Sequence, residues 1–237
     1  MNDSIILFKS VTKKYGNLIA LNNVDVEFPR GQIIGLLGPN GSGKTTMIKV
    51  MANLLKNYSG QVLIEGMKPS IETKKIVAYL PDRPCLPTNK SILNIVQYFS
   101  DFFDDFDSEK ALRLIKELGI DINQNFTELS KGTKEKLQIA LVISRRAKVF
   151  IFDEPIAGVD PAARDVIFQL ILRGKEEDAT IIICTHLISE VEDYLDYAIF
   201  LKNGQVSLRN YVNTIKANSG KSLNEVFKEV YRYAPIN

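Results

Sequence analysis

A glycine-rich stretch near the start of the chain has the residue types and spacing of a phosphate-binding loop. In Gly38-Pro39-Asn40-Gly41-Ser42-Gly43-Lys44-Thr45, four residues separate Gly38 from Gly43, and lysine and threonine follow. Glycines let backbone N–H groups approach a polyphosphate, and the N-terminus of a following helix adds a favourable dipole. The pattern predicts that Lys44 contacts the β- and γ-phosphates of a bound triphosphate and that Thr45 contacts Mg²⁺. Thr46, the next residue, belongs to the same predicted group of nucleotide contacts.

An acidic pair follows a second apolar run, much later in the chain. Asp153 and Glu154 come directly after Val149–Phe152. A carboxylate at the end of a buried strand can hold Mg²⁺ directly or through water, which is the role predicted for Asp153. Glu154 projects differently and is predicted to be the general base that polarises the attacking water. Such a pair also occurs in ordinary solvated loops, but the phosphate-binding loop upstream favours the catalytic interpretation.

The segments around these motifs predict the strands and helices that position them. Ile33–Leu37 has the length of a buried strand and leads into the glycine-rich loop, after which Met47, Ile48 and Met51 recur at helical spacing. Val24–Phe28 alternates with the period of a half-buried strand, and Asn203-Gly204 predicts a hairpin turn.

The middle of the chain, residues 83–144, is predicted to be an all-helical insertion. Apolar residues recur at steps of three and four from Ile92 to Phe106 and again from Ala111 to Leu118, and a third helix is expected near Thr133. The phenylalanines of the first of these helices form either a docking face or part of a core, and periodicity favours the core.

The character of an α/β protein then returns. Val149–Phe152 and Ile181–Cys184 are predicted to be parallel strands that are buried on both faces. Pro161 is expected to open a helix between them, and Leu223–Tyr231 has the spacing of an amphipathic helix that covers the domain.

Composition limits the classes of function. The chain has 237 residues, 45% of them hydrophobic, and a formal net charge of +2, which gives no support for a nucleic-acid partner. Its two cysteines, Cys85 and Cys184, indicate a reducing compartment rather than a disulfide framework. No apolar run is long enough to span a bilayer, and Met1–Ser4 does not have the pattern of a secretory signal.

The segment Leu129-Ser130-Lys131-Gly132-Thr133 gives the motifs a family context. With the two motifs above, the chain resembles the ATP-binding subunits of ABC transporters, whose signature is Leu-Ser-Gly-Gly-Gln. Ser130 and Gly132 match that signature, whereas Lys131 and Thr133 depart from it. The resemblance implies that Ser130 and Gly132 contact the γ-phosphate of a nucleotide held by another subunit.

Three other positions agree with the resemblance. Tyr15 resembles the family's adenine-stacking aromatic residue, although a tyrosine taken by itself is more often a packing residue. His186, the only histidine, follows the Ile181–Cys184 strand, where the family has a switch histidine that senses the γ-phosphate; the resemblance implies a catalytic role. Asp160 matches a loop that crosses the subunit interface, and it is also a suitable N-cap for a helix beginning at Pro161.

Asp82 is a departure from the family pattern. The family usually has glutamine at the junction into the helical insertion, where it meets Mg²⁺ and the attacking water. Here Asp82 follows Pro81. It either faces the metal with a shorter and charged side chain, or serves only as a turn residue.

The predicted fold is α/β, with a P-loop NTPase core, an antiparallel β flank and an inserted all-helical subdomain. We expect a single ABC ATPase domain over 1–237, with the nucleotide-binding core formed by 1–82 and 145–210. The helical subdomain takes 83–144, and a tail with its amphipathic helix takes 211–237.

The resemblance also implies the working assembly. Two subunits, in a homodimer or a heterodimer, would sandwich two ATP with Mg²⁺ and drive a separate membrane permease. The chain would then lie in the cytoplasm, on the inner face of the cell membrane. Its length and its form of signature are most similar to the ATPases of small exporters of peptides or drugs. A non-transport ABC ATPase, for example one of iron–sulfur assembly, is the alternative.

Overall fold

A computed structural model describes residues 4–83, 86–87, 89–176 and 178–231. The chain forms two compact units. The first unit contains the residues up to Lys74 and those from Thr180 onward, and the second contains Lys75–Ala179. Cys85 lies outside the described residues, and Cys184 is buried in its strand, as the apolar run Ile181–Cys184 predicts.

The first unit contains an antiparallel sheet in the order β2-β1-β4. Its strands are β1 (Ser4–Tyr15), β2 (Leu18–Pro29) and β4 (Ser59–Ile64). The alternation predicted for Val24–Phe28 is confirmed, because Val24, Val26 and Phe28 are buried while the two acids between them are exposed. Such alternation is typical of a sheet with one face on the core.

The same unit contains a set of parallel strands that the apolar runs predict. β3 (Ile33–Leu37) lies between β7 (Thr180–Thr185) and β8 (Tyr197–Lys202), parallel to both. β9 (Gln205–Tyr211) pairs antiparallel with β8. Asn203 and Gly204 join β8 and β9 with φ of 50° and 74°, which confirms the predicted hairpin turn.

Four α-helices complete the described part of the first unit. They are α1 (Lys44–Met51), α2 (Ile71–Lys74), α7 (Val212–Ser219) and α8 (Leu223–Val230). Helix α8 is the predicted amphipathic helix, and it begins with a capping box in which Ser222 and Glu225 bond to each other's backbone N–H.

The second unit combines two parallel strands with helices. The strands are β5 (Val77–Leu80) and β6 (Val149–Asp153). The helices are α3 (Ile92–Phe102), α4 (Ser108–Glu117), α5 (Lys131–Ile143) and α6 (Pro161–Gly174). Helices α3, α4 and α5 share a buried apolar cluster that includes Ile95, Ile115 and Leu141.

The phenylalanines of the helical segment differ in burial, and a docking role for them stays a prediction. Phe99 and Phe106 pack against the apolar cluster, as periodicity favours. Phe102, in contrast, is 66% exposed, and its ring stacks on the exposed ring of Tyr98. Helix α3 ends at Phe102 because Phe103 has extended backbone angles, so the helix is one turn shorter than the apolar spacing suggests.

Among the described residues, no helix is both long enough and apolar enough to cross a membrane. The internal boundaries expected after residues 82, 144 and 210 stay predictions.

Candidate functional site

The glycine-rich loop of the first unit lies between β3 and α1, as the sequence predicts. Lys44 is the first residue of α1 and is 6% exposed. Its Nζ donates hydrogen bonds to the carbonyl oxygens of Gly38, at 2.7 Å, and Pro39, at 3.2 Å. The ammonium is therefore held at the loop's own backbone, and its contact with phosphate stays a prediction.

Two of the loop glycines have no room for a side chain. A Cβ on Gly38 would lie 2.5 Å from the carbonyl oxygen of Leu201, and one on Gly43 would lie 2.5 Å from that of Ala20. Gly43 also has φ of 110°, which L side chains rarely adopt. Gly41 has φ of 79° with open space around it. Glycine is thus required at positions 38 and 43 because backbone carbonyls lie too close for a side chain. At positions 41 and 43 it is also favoured by the positive φ.

The start of α1 suits an anion. Within the described part of the chain, no side chain caps the helix at Gly43, and its first turn contains no acidic residue. The backbone N–H groups of a helix N-terminus carry partial positive charge and need acceptors. Polyphosphate oxygens provide such acceptors, so the residues present fit the phosphates of ATP. Asn40, Gly41 and Thr45 are exposed on the loop, while Ser42 is buried and Thr46 is half-buried.

A second strand of the first unit brings His186 to the same sheet edge. Leu37 of β3 pairs with Thr185 of β7 in the parallel register, so Gly38 and His186 are the next residues on adjacent strands. The carboxyl ends of parallel strands are where α/β folds bind ligands. Thr185 is buried, and His186 is exposed at this edge.

Tyr15 ends β1 with an accessible ring. The residue is 45% exposed, and Lys13 Nζ lies 4.8 Å from the ring centroid. That ammonium also donates to the carbonyl oxygen of Asn57 at 2.6 Å, which fixes it beside the ring. An exposed aromatic face is compatible with stacking on a base, and the stacking role stays a prediction.

In the second unit, β5 and β6 bring three acidic residues to one edge. Leu80 pairs with Phe152, so Asp82 lies two residues after the end of β5, and Asp153 is the last residue of β6. Asp82, Asp153 and Glu154 all line one pocket of about 360 Å³. Asp153 is 3% exposed, whereas Asp82 is exposed. Asp82 thus lies at the same pocket as the acidic pair, and the choice between a metal-facing role and a turn role stays open.

Glu154 has a backbone conformation that the sequence does not reveal. Its φ is +51°, in the left-handed region that non-glycine residues seldom occupy. Such a conformation costs roughly 1–3 kcal/mol and persists where the surrounding structure imposes it, commonly at functional sites. The positive φ of Glu154 is therefore a feature of the chain turn directly after β6, and the separate roles of Asp153 and Glu154 stay predictions.

The acidic edge fits Mg²⁺ only together with a substrate. Within the described ranges, no three acidic, histidine or cysteine side chains are grouped so as to hold a metal alone. Protein sites for Mg²⁺ ordinarily provide one or two carboxylates, and substrate phosphates and water complete the octahedron. Buried Asp153 fits that requirement, and the metal-binding roles of Asp153 and Thr45 stay predictions.

The signature segment begins α5. Ser130 is the N-cap, and its Oγ accepts from the backbone N–H of Thr133 at 3.2 Å. A Cβ built on Gly132 would lie 3.8 Å from Asp160 Oδ2, so the signature and the loop before α6 are neighbours. Asp160 is the N-cap of α6 and accepts from the N–H of Ala163 at 3.0 Å, which confirms its expected capping role.

Two residues of the same pocket were not predicted. Lys131 and Glu135 also line it, with Lys131 Nζ 4.0 Å from Glu135 Oε1. Glu135 Oε2 is buried and has no hydrogen-bond partner in the described chain. Burial raises the pKa of Glu135, and Lys131 opposes this. The sequence contained one signal that could have predicted this pair, namely the spacing of four residues, because residues so spaced are neighbours on one helix face.

Comparison with known proteins identifies the class. The model of the ABC transporter family matches residues 21–157, which is more than half of the chain. The chain therefore belongs to this family and is an ABC-type ATP-binding domain of the kind that hydrolyses ATP.

Individual relatives agree with this assignment. An uncharacterized ABC transporter ATP-binding protein of Bacillus subtilis, YdbJ, is 31% identical over 95% of this chain and 75% of its own length. The lantibiotic transport ATP-binding protein SrtF of Streptococcus pyogenes is 29% identical over 94% of this chain and 96% of its own. A solved ATP-binding subunit of an ABC transporter has the same fold, with a TM-score of 0.86 at 24% identity over 97% and 100% of the two chains. The chain is thus an ATP-binding subunit of an ABC transporter, and the predicted fold class is confirmed.

Proposed function

We propose that this chain powers a separate membrane permease that exports a peptide, a drug or a similar compound. The observation that carries the proposal is the similarity to SrtF, a lantibiotic transport ATP-binding protein, over nearly the whole length of both chains. The exporter-like form of the signature, with Lys131 in place of glycine, supports the same direction.

ATP binds, in this proposal, to the loop 38–45 and to Thr46. Lys44 exchanges its bonds to the carbonyls of Gly38 and Pro39 for bonds to phosphate oxygens, which are charged and therefore stronger acceptors. The backbone N–H groups at the start of α1 bind the phosphates. Tyr15 stacks on the adenine through its exposed face.

The acidic edge supplies the chemistry of hydrolysis. Asp153 and Thr45 hold Mg²⁺, which when bound neutralises charge developing on the phosphates. Glu154 orients a water and accepts its proton, a contribution of roughly 10²–10⁴-fold in rate for a general base. His186 contacts the γ-phosphate and senses its loss. Asp82 either supports the metal or shapes the turn after Pro81.

The signature is proposed to act on a second subunit. Ser130 is exposed at the N-terminus of α5, and Gly132 adds no side chain that would obstruct an approaching partner. Both residues would contact the γ-phosphate bound by the loop of another ABC subunit, identical or different, so that two ATP lie between two subunits. The chain would work in the cytoplasm, against the inner face of the cell membrane, through its permease.

A trapped dimer tests the composite site. Glu154→Gln removes the general base but keeps the size of the side chain, so ATP should remain bound and hold two subunits together. Light scattering with saturating ATP should give twice the monomer mass for this variant. Glu117→Gln, an exposed glutamate on α4, is the matched control and should behave as wild type.

Purification in mild detergent from native membranes tests the transport role. A multi-span partner that travels with the chain supports the permease. A different ABC subunit in that complex would explain a Glu154→Gln chain that stays monomeric alone. A monomer with purely soluble partners would refute the proposal.

A further inference from the structure

The hairpin between β8 and β9 is hydrogen-bonded to the phosphate-binding loop. The backbone N–H of Gly204 donates to the carbonyl oxygen of Ser42 at 2.9 Å, and the Gly204 carbonyl accepts from Asn22 N–H at 2.9 Å. A Cβ on Gly204 would lie 2.8 Å from the carbonyl oxygen of Ala20. The hairpin is thus bonded to the loop on one side and to β2 on the other.

The end of β8 makes a second contact with the loop. The Leu201 carbonyl oxygen lies so close to Gly38 that a Cβ there would be 2.5 Å from it. The same oxygen accepts a hydrogen bond of 2.9 Å from the hydroxyl of Tyr231. One backbone carbonyl therefore joins the first glycine of the loop to the residue that ends helix α8.

Helix α8 is fixed against β8 by further contacts. The Tyr231 ring centroid lies 4.2 Å from that of Phe227, whose ring packs edge-on against Phe200 at 5.5 Å. Lys202 Nζ donates to the carbonyl oxygen of Val230 at 2.6 Å. Burial raises the pKa of Tyr231 to about 12, although a hydrogen bond with Ser207 has a smaller, lowering effect. The phenol is therefore protonated and can donate a hydrogen bond at neutral pH.

We infer that Tyr231 is a positioning residue for ATP, which holds the Leu201 carbonyl against Gly38 and so fixes the shape of the phosphate-binding loop. The C-terminal helix thereby contributes to nucleotide affinity without touching the nucleotide. The inference rests on the assignment of residues 38–45 as the phosphate-binding loop.

The effect should appear in binding rather than in turnover. The hydroxyl of Tyr231 acts on the loop of the first unit, whereas the proposed base Glu154 belongs to the second unit. Loss of one neutral hydrogen bond that orients a loop should weaken ATP binding by about three- to ten-fold, equivalent to roughly 0.6–1.4 kcal/mol.

Tyr231→Phe in the full chain tests this, because it removes the hydroxyl and keeps the ring stack. We expect calorimetry to show ATP binding weakened by about three- to ten-fold, with KM for ATP raised and kcat within about two-fold of wild type. The matched control is Tyr211→Phe, on β9, where the side chain is 46% exposed and the change should leave both constants unaltered.

The outcomes separate this inference from the proposed function. A lower melting temperature for Tyr231→Phe with unchanged ATP affinity would show that the hydroxyl only stabilises the tail, and would overturn the inference. A fall of about three- to ten-fold in kcat with no change in KM for ATP would also overturn the inference. Failure of the wild-type chain to bind ATP would instead count against the assignment of the loop.

Discussion

Arg145→Met should destabilise the second unit far more than the same change at the neighbouring Arg146. The Arg145 side chain is 6% exposed, and its Nε and Nη2 bond to the carboxylate of Asp105 at 3.0–3.1 Å. Its Nη1 donates to the carbonyl oxygen of Val77 at 3.0 Å, and the guanidinium lies 4.3 Å from the Phe103 ring centroid. One side chain therefore connects the segment after α3, the end of α5 and the start of β5.

The loss in free energy of unfolding follows from the Asp105 carboxylate, which Arg145→Met leaves without its partner. Removing one partner of a buried ion pair costs roughly 3–5 kcal/mol, because the other charge remains buried without compensation. The Asp105 side chain keeps 21% exposure, which allows some rehydration, so we expect about 3 kcal/mol. With a urea m-value of roughly 2–3 kcal/mol per M, the unfolding midpoint should fall by about 1–1.5 M.

Arg146→Met is the matched control. The Arg146 side chain is 71% exposed and pairs with Asp107 at 3.2 Å. The pKa of Asp107 is lowered mainly by its backbone hydrogen bond from Lys110, and only secondarily by Arg146. A surface pair of this kind contributes about 0.2–1 kcal/mol, so the midpoint should move by less than about 0.5 M.

Urea titrations followed by circular dichroism measure both variants, and Asp105→Asn in the Arg145→Met background should recover part of the loss. Equal shifts for the two arginine variants would refute the reasoning. A loss of stability below about 1 kcal/mol for Arg145→Met would also refute it, because burial of the ion pair would then not determine the cost of breaking it.

Two further changes address the acidic pocket. Asp82→Ala should cut steady-state ATPase turnover by about ten-fold and shift its Mg²⁺ dependence if the carboxylate supports the metal, whereas unchanged Mg²⁺ titration curves would assign Asp82 to the turn. Glu135→Gln should raise the melting temperature at pH 7 but not at pH 4. The pKa of Glu135 is raised by burial, so the fold loses stability as the pH rises above the unfolded pKa, and glutamine removes that loss. Scanning calorimetry at both pH values measures this, and an equal gain at pH 4 would point to packing instead.

The sequence predicted the elements whose patterns are strong. β6 and β7 are buried throughout, as their unbroken apolar runs indicate, and Asp160 caps α6 as its place before Pro161 predicts. Helix boundaries were less predictable. α1 ends at Met51, although the apolar spacing continues to Leu54, because side-chain periodicity does not record where the backbone leaves the helix.

The sequence indicates which residues belong to the candidate site, whose roles stay predictions, but it does not indicate their local geometry. Motif spacing cannot show that Glu154 has positive φ, because tertiary contacts impose that conformation on a residue type that does not favour it. Helix α7 was also missed, since its apolar face is narrow and only Val212 and Ile215 are buried. The contact of Tyr231 with Leu201 joins positions 30 residues apart, which no local pattern encodes.

His186 gives the molecule an internal reporter. It is the only histidine in 237 residues, and it is exposed at the carboxyl end of β7, beside the strand that leads into the phosphate-binding loop. A proton magnetic resonance spectrum of the chain should therefore contain a single imidazole C2–H signal that needs no assignment. Chemical changes at the proposed γ-phosphate position can be followed at that one resonance, without isotope labels and without altering the protein.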